Sequence, residues 1–325
     1  MKNENLIGNK RTLVNILIDY KNLLDEETWN FVDKTNQLLG SLTGDKSIQF
    51  QRENFNKLWK SFSKISPKEI KKVDRLIDDV KIRTYFKKSS SSDLVDIIFF
   101  HGGGFVVGGI NSHDSICTDI CQKTGLTITS VDYRLAPENK HPIPLNDCMK
   151  SVNWISKNNK KPIILCGDSA GGWLAASLSH FYKETDIQII GQVLIYPLLG
   201  ANINEGSYIS NANAPNLTTR DIIYYYKALY GNHVNDQFFD GPLLEKSFKN
   251  LPPTVIFSAE FDPLLDDGRE YEKALIKDGS KVKFFLERGL IHGYLRGRDT
   301  VDLAKKSFNK ICVSLNNLAE SKWNY

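Results

Sequence analysis

Apolar residues in the amino-terminal part of the chain recur with the spacing of a helix face. One group is Leu13, Ile16, Leu17, Tyr20, Leu23 and Leu24, and a second is Phe55, Leu58, Trp59 and Phe62. Spacings of three and four residues place such side chains on one side of an α-helix. Ser66-Pro67 also has the features of a helix start, with a capping Ser and a Pro in the first turn. The pattern therefore predicts that residues 1–75 are helical.

From residue 80 onward the pattern changes to short apolar runs that alternate with helical segments. The predicted strands are 80–86, 94–100, 126–132, 162–166, 187–196, 254–258 and 282–286. The predicted helices are 145–155, 169–182, 221–230, 267–277 and 301–315, and 87–92 is a predicted polar turn. Strands and helices in alternation form a parallel sheet covered by helices. The sequence thus predicts an α/β fold that is interrupted at 201–250 by a polar insertion rich in Asn and Tyr.

Composition and charge narrow the class of protein. The chain has 325 residues, of which 41% are hydrophobic and 25% charged, as in folded globular proteins and not in disordered or fibrous ones. A net charge of +4 over this length is too small for a dedicated nucleic-acid surface. No apolar run approaches the length of a membrane span, about 20 residues, and no signal-peptide cleavage site follows residues 13–18. We expect no nucleic-acid partner and no membrane span. The oligomeric state stays open, a homodimer included.

The cysteines are odd in number and sparse, and none forms a C-x-x-C motif. They are Cys117, Cys121, Cys148, Cys166 and Cys312. This usage is typical of reduced, mostly buried thiols in a cytoplasmic protein. Cys117 and Cys121 lie four apart on a predicted helix, a spacing that suits a metal pair, but no second Cys or His cluster completes a site. We expect packed thiols and no metal.

The segment 166–172, C-G-D-S-A-G-G, contains a G-x-S-x-G motif between a predicted strand and a predicted helix. Such a strand–turn–helix holds a serine in a strained turn, with its hydroxyl above the sheet. The motif alone is short enough to occur by chance. Its position in the chain favours Ser169 as a nucleophile.

A second glycine-rich motif, H-G-G-G-F at 101–105, ends another predicted buried strand. Consecutive glycines let backbone N–H groups approach an oxyanion, together with the N–H that follows a nucleophile. The alternatives are a phosphate-binding loop or a plain turn. No Lys-Ser or Lys-Thr follows the glycines, which argues against phosphate.

A serine nucleophile needs a base, and the six histidines can be sorted as candidates by their positions in the chain. His101 precedes the glycine loop, where we expect it to hold that loop by hydrogen bonds. His113 and His141 precede the serine, whereas this architecture predicts the order Ser, acid, His. His180 lies three turns along the serine's own helix, and His233 lies in the insertion. His292 follows a late strand between two glycines and is the predicted base, with an ordinary surface-loop histidine as the alternative.

The acid that orients the base is expected at the end of the strand before it. Asp262 lies in the loop after strand 254–258 and is fixed by the following proline. Glu260 is the alternative acid, since it is also near the strand end. Asp266 and Asp267 are interpreted as favourable charges at the start of the next helix.

These motifs together resemble the hormone-sensitive-lipase-like esterases, a family of α/β-hydrolases that includes bacterial acetyl esterases. The likeness covers about residues 97–298 and rests on H-G-G-G-F, D-Y-R-L-A-P-E, G-D-S-A-G-G, D-P-L-L-D-D and H-G-Y. The resemblance implies Ser169 as nucleophile, Asp262 as acid and His292 as base. It also implies an oxyanion hole formed by the backbone N–H groups of Gly103, Gly104 and Ala170.

The resemblance also implies an activity and a division of the chain. The activity is hydrolysis of small, short-chain acyl esters through an acyl-enzyme, with no cofactor. An amide, carbamate or formamide hydrolase is one alternative, and a binding protein that has lost hydrolysis is a more distant one. Residues 1–75 and 201–250 would form a cap, and 76–200 with 251–325 the catalytic domain.

Several residues bear on the pocket rather than on the reaction. Asp132, Arg134 and Glu138 match a family segment that is expected to form supporting ion pairs. Trp173 and Tyr294 depart from the usual family residues, and Trp173 is expected to reshape the neighbourhood of the serine. The run 224–226, three tyrosines, either lines the pocket or packs against the body, and packing is favoured.

Overall fold

The computed structural model describes residues 18–39, 46–87, 94–231 and 241–325. Leu13, Ile16 and Leu17 of the predicted first helix, residues 88–92 of the predicted turn, and His233 lie outside these ranges.

The described amino-terminal part is helical up to residue 61. It contains α1 (Tyr20–Leu23), α2 (Glu26–Leu39) and α3 (Ile48–Ser61). Ser47 caps α3 by accepting a hydrogen bond from the Phe50 N–H at 3.3 Å. Phe55, Leu58 and Trp59 of α3 are buried, as their spacing predicted.

The predicted helix start at Ser66-Pro67 is wrong, because the chain enters strand β1 (Ile70–Ile77). This strand pairs antiparallel with β2 (Val80–Lys87) through a tight turn in which Asp78 has a φ of 54°. Within β1 only Ile70 and Ile77 are buried. An edge strand with so little buried surface has no apolar alternation to detect, so backbone pairing with β2 decides its structure.

The remaining strands continue the same sheet. They are β3 (Asp96–Phe100), β4 (Thr127–Asp132), β5 (Ile163–Asp168), β6 (Ile189–Ile195), β7 (Thr254–Phe261) and β8 (Val282–Ile291). The order across the sheet is β1-β2-β4-β3-β5-β6-β7-β8. From β4 to β8 all neighbours are parallel, whereas β2 pairs antiparallel with β4. The predicted α/β fold is confirmed.

Helices cover both faces of this sheet. They are α4 (Ile110–Thr124), α5 (Ile143–Asn159), α6 (Ala170–Tyr182), α7 (Ser207–Ser210), α8 (Thr219–Tyr230), α9 (Leu265–Lys277) and α10 (Asp302–Ala319). Every residue of β3 and β5 is buried, which requires cover on both sides. Among the described helices, none is long and apolar enough to cross a bilayer.

All five cysteines are buried and free, as expected for packed thiols. Burial raises the pKa of the Cys121 thiol to about 11 and that of Cys312 to about 12. Both thiols are therefore protonated at neutral pH and act as small apolar side chains.

The parallel strands bring three loops to one edge of the sheet. Ser169 directly follows β5, Asp262 follows β7, and His292 follows β8. Because the carboxyl ends of parallel strands share an edge, residues that are far apart in sequence meet there.

Candidate active site

Ser169 occupies a strained turn between β5 and α6. Its φ of 55° and ψ of −119° lie in a region that residues with a side chain rarely adopt. The Ser169 N–H donates to the Ile195 carbonyl at 2.9 Å, and the Ser169 carbonyl accepts from the Gly172 N–H at 2.9 Å. These bonds hold a conformation that costs on the order of 1–3 kcal/mol.

The flanking glycines of the motif are required by close backbone approach. A Cβ on Gly171 would lie 1.9 Å from the Phe100 carbonyl oxygen of β3, and one on Gly167 would lie 2.2 Å from the Gly171 carbonyl oxygen. The absence of side chains at these positions lets α6 begin directly against the end of β3.

The structure brings Ser169, His292 and Asp262 into one hydrogen-bonded chain. His292 Nε2 lies 3.0 Å from Ser169 Oγ, and His292 Nδ1 lies 2.7 Å from Asp262 Oδ2. Asp262 is fully buried, and its other oxygen accepts from the Leu264 N–H at 2.9 Å. This arrangement of hydroxyl, imidazole and carboxylate can transfer a proton from the serine to the histidine.

The other candidate acids have different partners. Glu260 accepts from the Gly289 N–H at 2.8 Å and therefore ties β7 to β8 where the pairing of the two strands is irregular. Asp266 accepts from the Ser207 N–H at 2.7 Å. Both Asp266 and Asp267 lie in the first turn of α9, as predicted. Asp267, however, is fully buried and accepts from the Leu199 and Gly200 N–H groups, and burial raises its pKa to about 7.

The glycine loop presents free N–H groups to the same space. Gly103 and Gly104 have φ values of 122° and 59° and line the cavity that also contains Ser169. Among the described residues, no atom accepts a hydrogen bond from the N–H of Gly103, Gly104 or Ala170. Ala170 is the first residue of α6, where the helix dipole adds positive potential. These N–H groups can bind a negatively charged oxygen.

His101 holds the glycine loop in place through its ring contacts. Its ring stacks on Tyr133 with centroids 4.2 Å apart, and its Nδ1 lies 2.8 Å from the Gly102 carbonyl oxygen. The Tyr133 hydroxyl donates to the His101 carbonyl at 2.7 Å. Burial lowers the pKa of His101 to about 3, so the ring is neutral at pH 7. The predicted supporting role of His101 is confirmed.

Asp168 joins the glycine loop to the serine turn. Its Oδ1 accepts from the Gly102 N–H at 2.8 Å, and its Oδ2 accepts from the Tyr196 hydroxyl at 3.3 Å. Burial acts to raise the pKa of Asp168, but the nearby His113 and the Gly102 N–H outweigh it and keep the pKa below its ordinary value. The carboxylate is therefore a buried charge that fixes the loop.

The segment around Arg134 forms supporting ion pairs, but with partners from outside the segment. Arg134 forms a two-pronged pair with Asp147 at 2.6 and 2.8 Å. Asp132 accepts instead from the Ile110 N–H at 3.0 Å, at the start of α4. Glu138 pairs with Arg52 of α3 at 2.7 Å.

The cavity over Ser169 is small, mostly apolar and walled by helices from two parts of the chain. It encloses a free volume of about 70 Å³. Helix α3 contributes Phe55, Leu58 and Trp59, and α8 contributes Ile222 and Tyr225.

The three consecutive tyrosines of α8 have different positions. A Cβ on Gly104 would lie 2.2 Å from the Tyr225 ring, so that ring covers the glycine loop and lines the cavity. Tyr226 is buried and stacks on Tyr230 with centroids 5.9 Å apart. The Tyr224 hydroxyl accepts from Gln51 at 2.8 Å. The favoured interpretation of packing thus holds for Tyr226, whereas Tyr225 borders the site.

Trp173 and Tyr294 do not line this cavity within the described part of the chain. Trp173 packs edge-on against Phe105 with centroids 5.6 Å apart and borders a separate surface groove. Tyr294 is buried and accepts from the Ser307 hydroxyl at 2.8 Å. Trp173 thus adjoins the glycine loop through Phe105 without lining the cavity, and the expectation that it reshapes the neighbourhood of the serine stays a prediction.

Sequence reasoning missed two polar residues that line the cavity. Asn216 has a φ of 70°, and its side-chain amide donates to the His292 carbonyl at 3.1 Å. Arg296 lies in a 3₁₀ turn, Tyr294–Gly297, just after His292. Neither residue belongs to a motif or a spacing pattern. The one available signal was that Arg296 lies only four residues after the predicted base, His292.

Comparison with known proteins gives a consistent set of relatives. A family model described as alpha/beta hydrolase fold matches residues 97–296. The chain is 31% identical over 231 residues to carboxylesterase NlhH of Mycobacterium tuberculosis, covering 67% of this chain and 72% of the relative. It is 26% identical over 268 residues to acetyl esterase of Salmonella dublin, covering 77% and 81%. A solved structure of a hyperthermophilic esterase from Pyrobaculum calidifontis is similar with a TM-score of 0.79, at 25% identity, covering 91% and 99%.

Proposed function

The chain belongs to the α/β-hydrolase fold, in its hormone-sensitive-lipase-like branch, and from this premise we propose that it is a serine carboxylesterase. The observation that carries the proposal is the hydrogen-bonded chain from Ser169 through His292 to Asp262. Relatives named carboxylesterase and acetyl esterase support the reaction class. The substrate is a small carboxylic ester.

The reaction is a two-step acyl transfer. His292 Nε2 takes the Ser169 proton while Ser169 Oγ attacks the ester carbonyl carbon. Asp262 holds the proton of the imidazole on Nδ1 and stabilises the imidazolium that forms. The imidazolium then protonates the departing alkoxide, and a water activated by the same histidine hydrolyses the acyl-enzyme.

The oxyanion of each tetrahedral intermediate is bound by the N–H groups of Gly103, Gly104 and Ala170. Their lack of acceptors among the described residues supports this role, as do the places of Gly103 and Gly104 in the cavity wall and of Ala170 directly after Ser169 at the start of α6. Because the cavity lining is mostly apolar, such preorganised donors stabilise the transition state strongly.

Replacing Gly104 with Ala is expected to reduce kcat for 4-nitrophenyl acetate by about 10²- to 10³-fold. The new Cβ would lie 2.2 Å from the Tyr225 ring and would occupy a residue with a φ of 59°, so the loop must move and its N–H is misaligned. Steady-state kinetics and the melting temperature measure the effect. The control is Gly279→Ala, where φ is 79° but nothing lies within 4 Å, so it imposes similar backbone strain while activity is retained. Equal kcat for wild type and Gly104→Ala would contradict the assignment of this loop.

We propose further that the acyl chain is short. In a panel of 4-nitrophenyl esters, acetate and butanoate are expected to exceed octanoate in kcat/KM by about tenfold or more, because overfilling a packed space costs about 1–3 kcal/mol. The free volume of about 70 Å³ is the physical reason. Octanoate as the best substrate would contradict it. Comparable kcat/KM for 4-nitroacetanilide would identify an amide hydrolase instead.

A division of the chain into a catalytic domain and a cap follows from the same proposal. The cap comprises residues 1–75 and 201–250, and the catalytic domain comprises 76–200 and 251–325. Cavity walls from α3 and α8 support this division. Strand β1 begins at Ile70, so the sheet itself extends a few residues into the first segment.

Five free buried thiols support a cytoplasmic location.

A further inference from the structure

Arg296 is a buried cation in the wall of the cavity that contains Ser169. Its residue is 7% exposed, and it lines the cavity together with Ser169 and His292. Most of its neighbours in this wall are apolar, among them Leu58 and Leu264. A charge in such surroundings is costly unless a partner of opposite charge is present.

Among the described residues, none forms a direct ion pair or hydrogen bond with the Arg296 guanidinium. No carboxylate of theirs lies within 4.0 Å of its guanidinium, its side-chain N–H groups donate to none of their atoms, and its Nε is fully buried. The guanidinium instead faces the rings of Phe31 and Trp59, each 5.6 Å from its central carbon. Arg298, two residues later, is also buried but pairs with Asp119 at 2.6 Å. The contrast shows that Arg296 is not paired in the way usual for a structural arginine.

The position of the guanidinium places it beside the reacting groups. A Cβ on Gly293 would lie 2.7 Å from Arg296 Nη1, so the guanidinium packs against the residue that follows His292. The charge of Asp168, which lines the same cavity, acts on Arg296 without a direct bond, and its oxygens are bound to the Gly102 N–H and the Tyr196 hydroxyl. The N–H fork of Arg296 is therefore available to a molecule in the cavity.

We propose that Arg296 binds a carboxylate of the substrate, so that the preferred substrate is a short ester carrying a second, ionised carboxyl group. A half-ester of a short dicarboxylic acid is one example of this class. This inference rests on the proposed esterase function and adds the substrate class. Arginine suits the task because its planar fork donates two parallel hydrogen bonds to a carboxylate. The cation–π contacts with Phe31 and Trp59 fix the plane of the fork without occupying its N–H groups.

Two pairs of esters test the proposal and distinguish which side of the ester carries the carboxylate. Monoethyl succinate is compared with the neutral ethyl levulinate, and acetoxyacetate with the neutral acetoxyacetone, by pH-stat. The wild type is expected to prefer the anionic ester in at least one pair. Arg296→Met is expected to lower kcat/KM for that ester by about 10- to 150-fold, mainly by raising KM. This factor corresponds to the free energy of a hydrogen bond to a charged group. The neutral ester is expected to change by less than about threefold. Arg296→Lys is expected to retain part of the preference.

A control separates substrate binding from a purely structural role. Phe31→Leu removes one of the aromatic contacts of Arg296, and Phe31 does not line the cavity. If Arg296 only anchors the amino-terminal helices, Arg296→Met and Phe31→Leu will lower the rates of charged and neutral esters alike, and the proposal is overturned. Binding of the preferred anionic ester to the Ser169→Ala protein, measured by calorimetry, is expected to weaken on adding Arg296→Met.

The two proposals fail in different ways. If the wild type hydrolyses neither member of any pair nor 4-nitrophenyl acetate, the esterase function itself is wrong. If it hydrolyses neutral esters as well as anionic ones, and Arg296→Met leaves their ratio unchanged, the esterase function stands and the carboxylate site is wrong.

Discussion

Replacing Ser169 with Ala is expected to lower the hydrolysis of 4-nitrophenyl acetate by on the order of 10⁵- to 10⁶-fold, to a rate close to that of buffer. The Ser169 Oγ is the atom that lies 3.0 Å from the proposed base, so its removal leaves His292 with no hydroxyl to deprotonate there. The measurement is kcat after subtraction of the uncatalysed rate, together with the intact mass after treatment with a fluorophosphonate. The wild type is expected to gain one phosphonyl group, and Ser169→Ala none.

A matched control comes from the same helix. Ser177 lies on α6 and borders the separate surface groove, so Ser177→Ala makes the same chemical change outside the proposed site. We expect its kcat to stay within about twofold of the wild type, since surface substitutions away from special features change little. The melting temperatures of both variants should stay near that of the wild type. Substantial turnover by a folded Ser169→Ala protein would refute the nucleophile assignment.

Replacing Asp262 with Asn is expected to lower kcat by about 10⁴-fold. The Asn amide can donate to His292 Nδ1, which favours the tautomer with its proton on Nε2. That nitrogen then cannot accept the Ser169 proton, and the imidazolium loses its counter-charge. Asp262 is fully buried and hydrogen-bonded to the Leu264 N–H, an interaction that the Asn carbonyl oxygen preserves.

Glu260→Gln is the control that decides between the two candidate acids. The Gln side-chain oxygen can still accept from the Gly289 N–H, so the link between β7 and β8 is retained. We expect kcat within a few-fold of the wild type, because Glu260 does not contact His292. A large loss in Glu260→Gln with little loss in Asp262→Asn would reverse the assignment of the acid.

The sequence was sufficient for the parts of the fold that depend on local patterns. Strands with long apolar runs, such as β3 and β5, are buried on both faces, and this burial is visible as continuous hydrophobicity. Ser169, Asp262 and His292 could be chosen by their order along the chain because the parallel sheet places successive strand ends at one edge. Strand β1 could not be recognised, because its structure depends on pairing with β2 and not on its own burial.

The residues that sequence reasoning missed depend on contacts between distant segments. Asn216 reaches the His292 carbonyl only because the segment before α8 folds over the site. Arg296 is distinguished only by the lack of a direct ion pair with the described residues, and no sequence pattern reveals whether a buried cation is paired. The identity of the substrate thus depends on tertiary contacts, whereas the reaction class depends on motifs.

The hydrogen bond from the Gly102 N–H to Asp168 has a mechanical consequence. It joins the end of β3 to the residue that immediately precedes Ser169, so the glycine loop and the serine turn move together as one rigid frame. The cavity walls from α3 and α8 lie outside this frame. Alignment of the attacking hydroxyl and the oxyanion donors is therefore set within this frame, against which Tyr225 of α8 and Arg52 of α3 pack, and changes elsewhere in the walls disturb it least. In an evolving lineage, the walls can change to accept new substrates while the distances between the reacting groups are preserved.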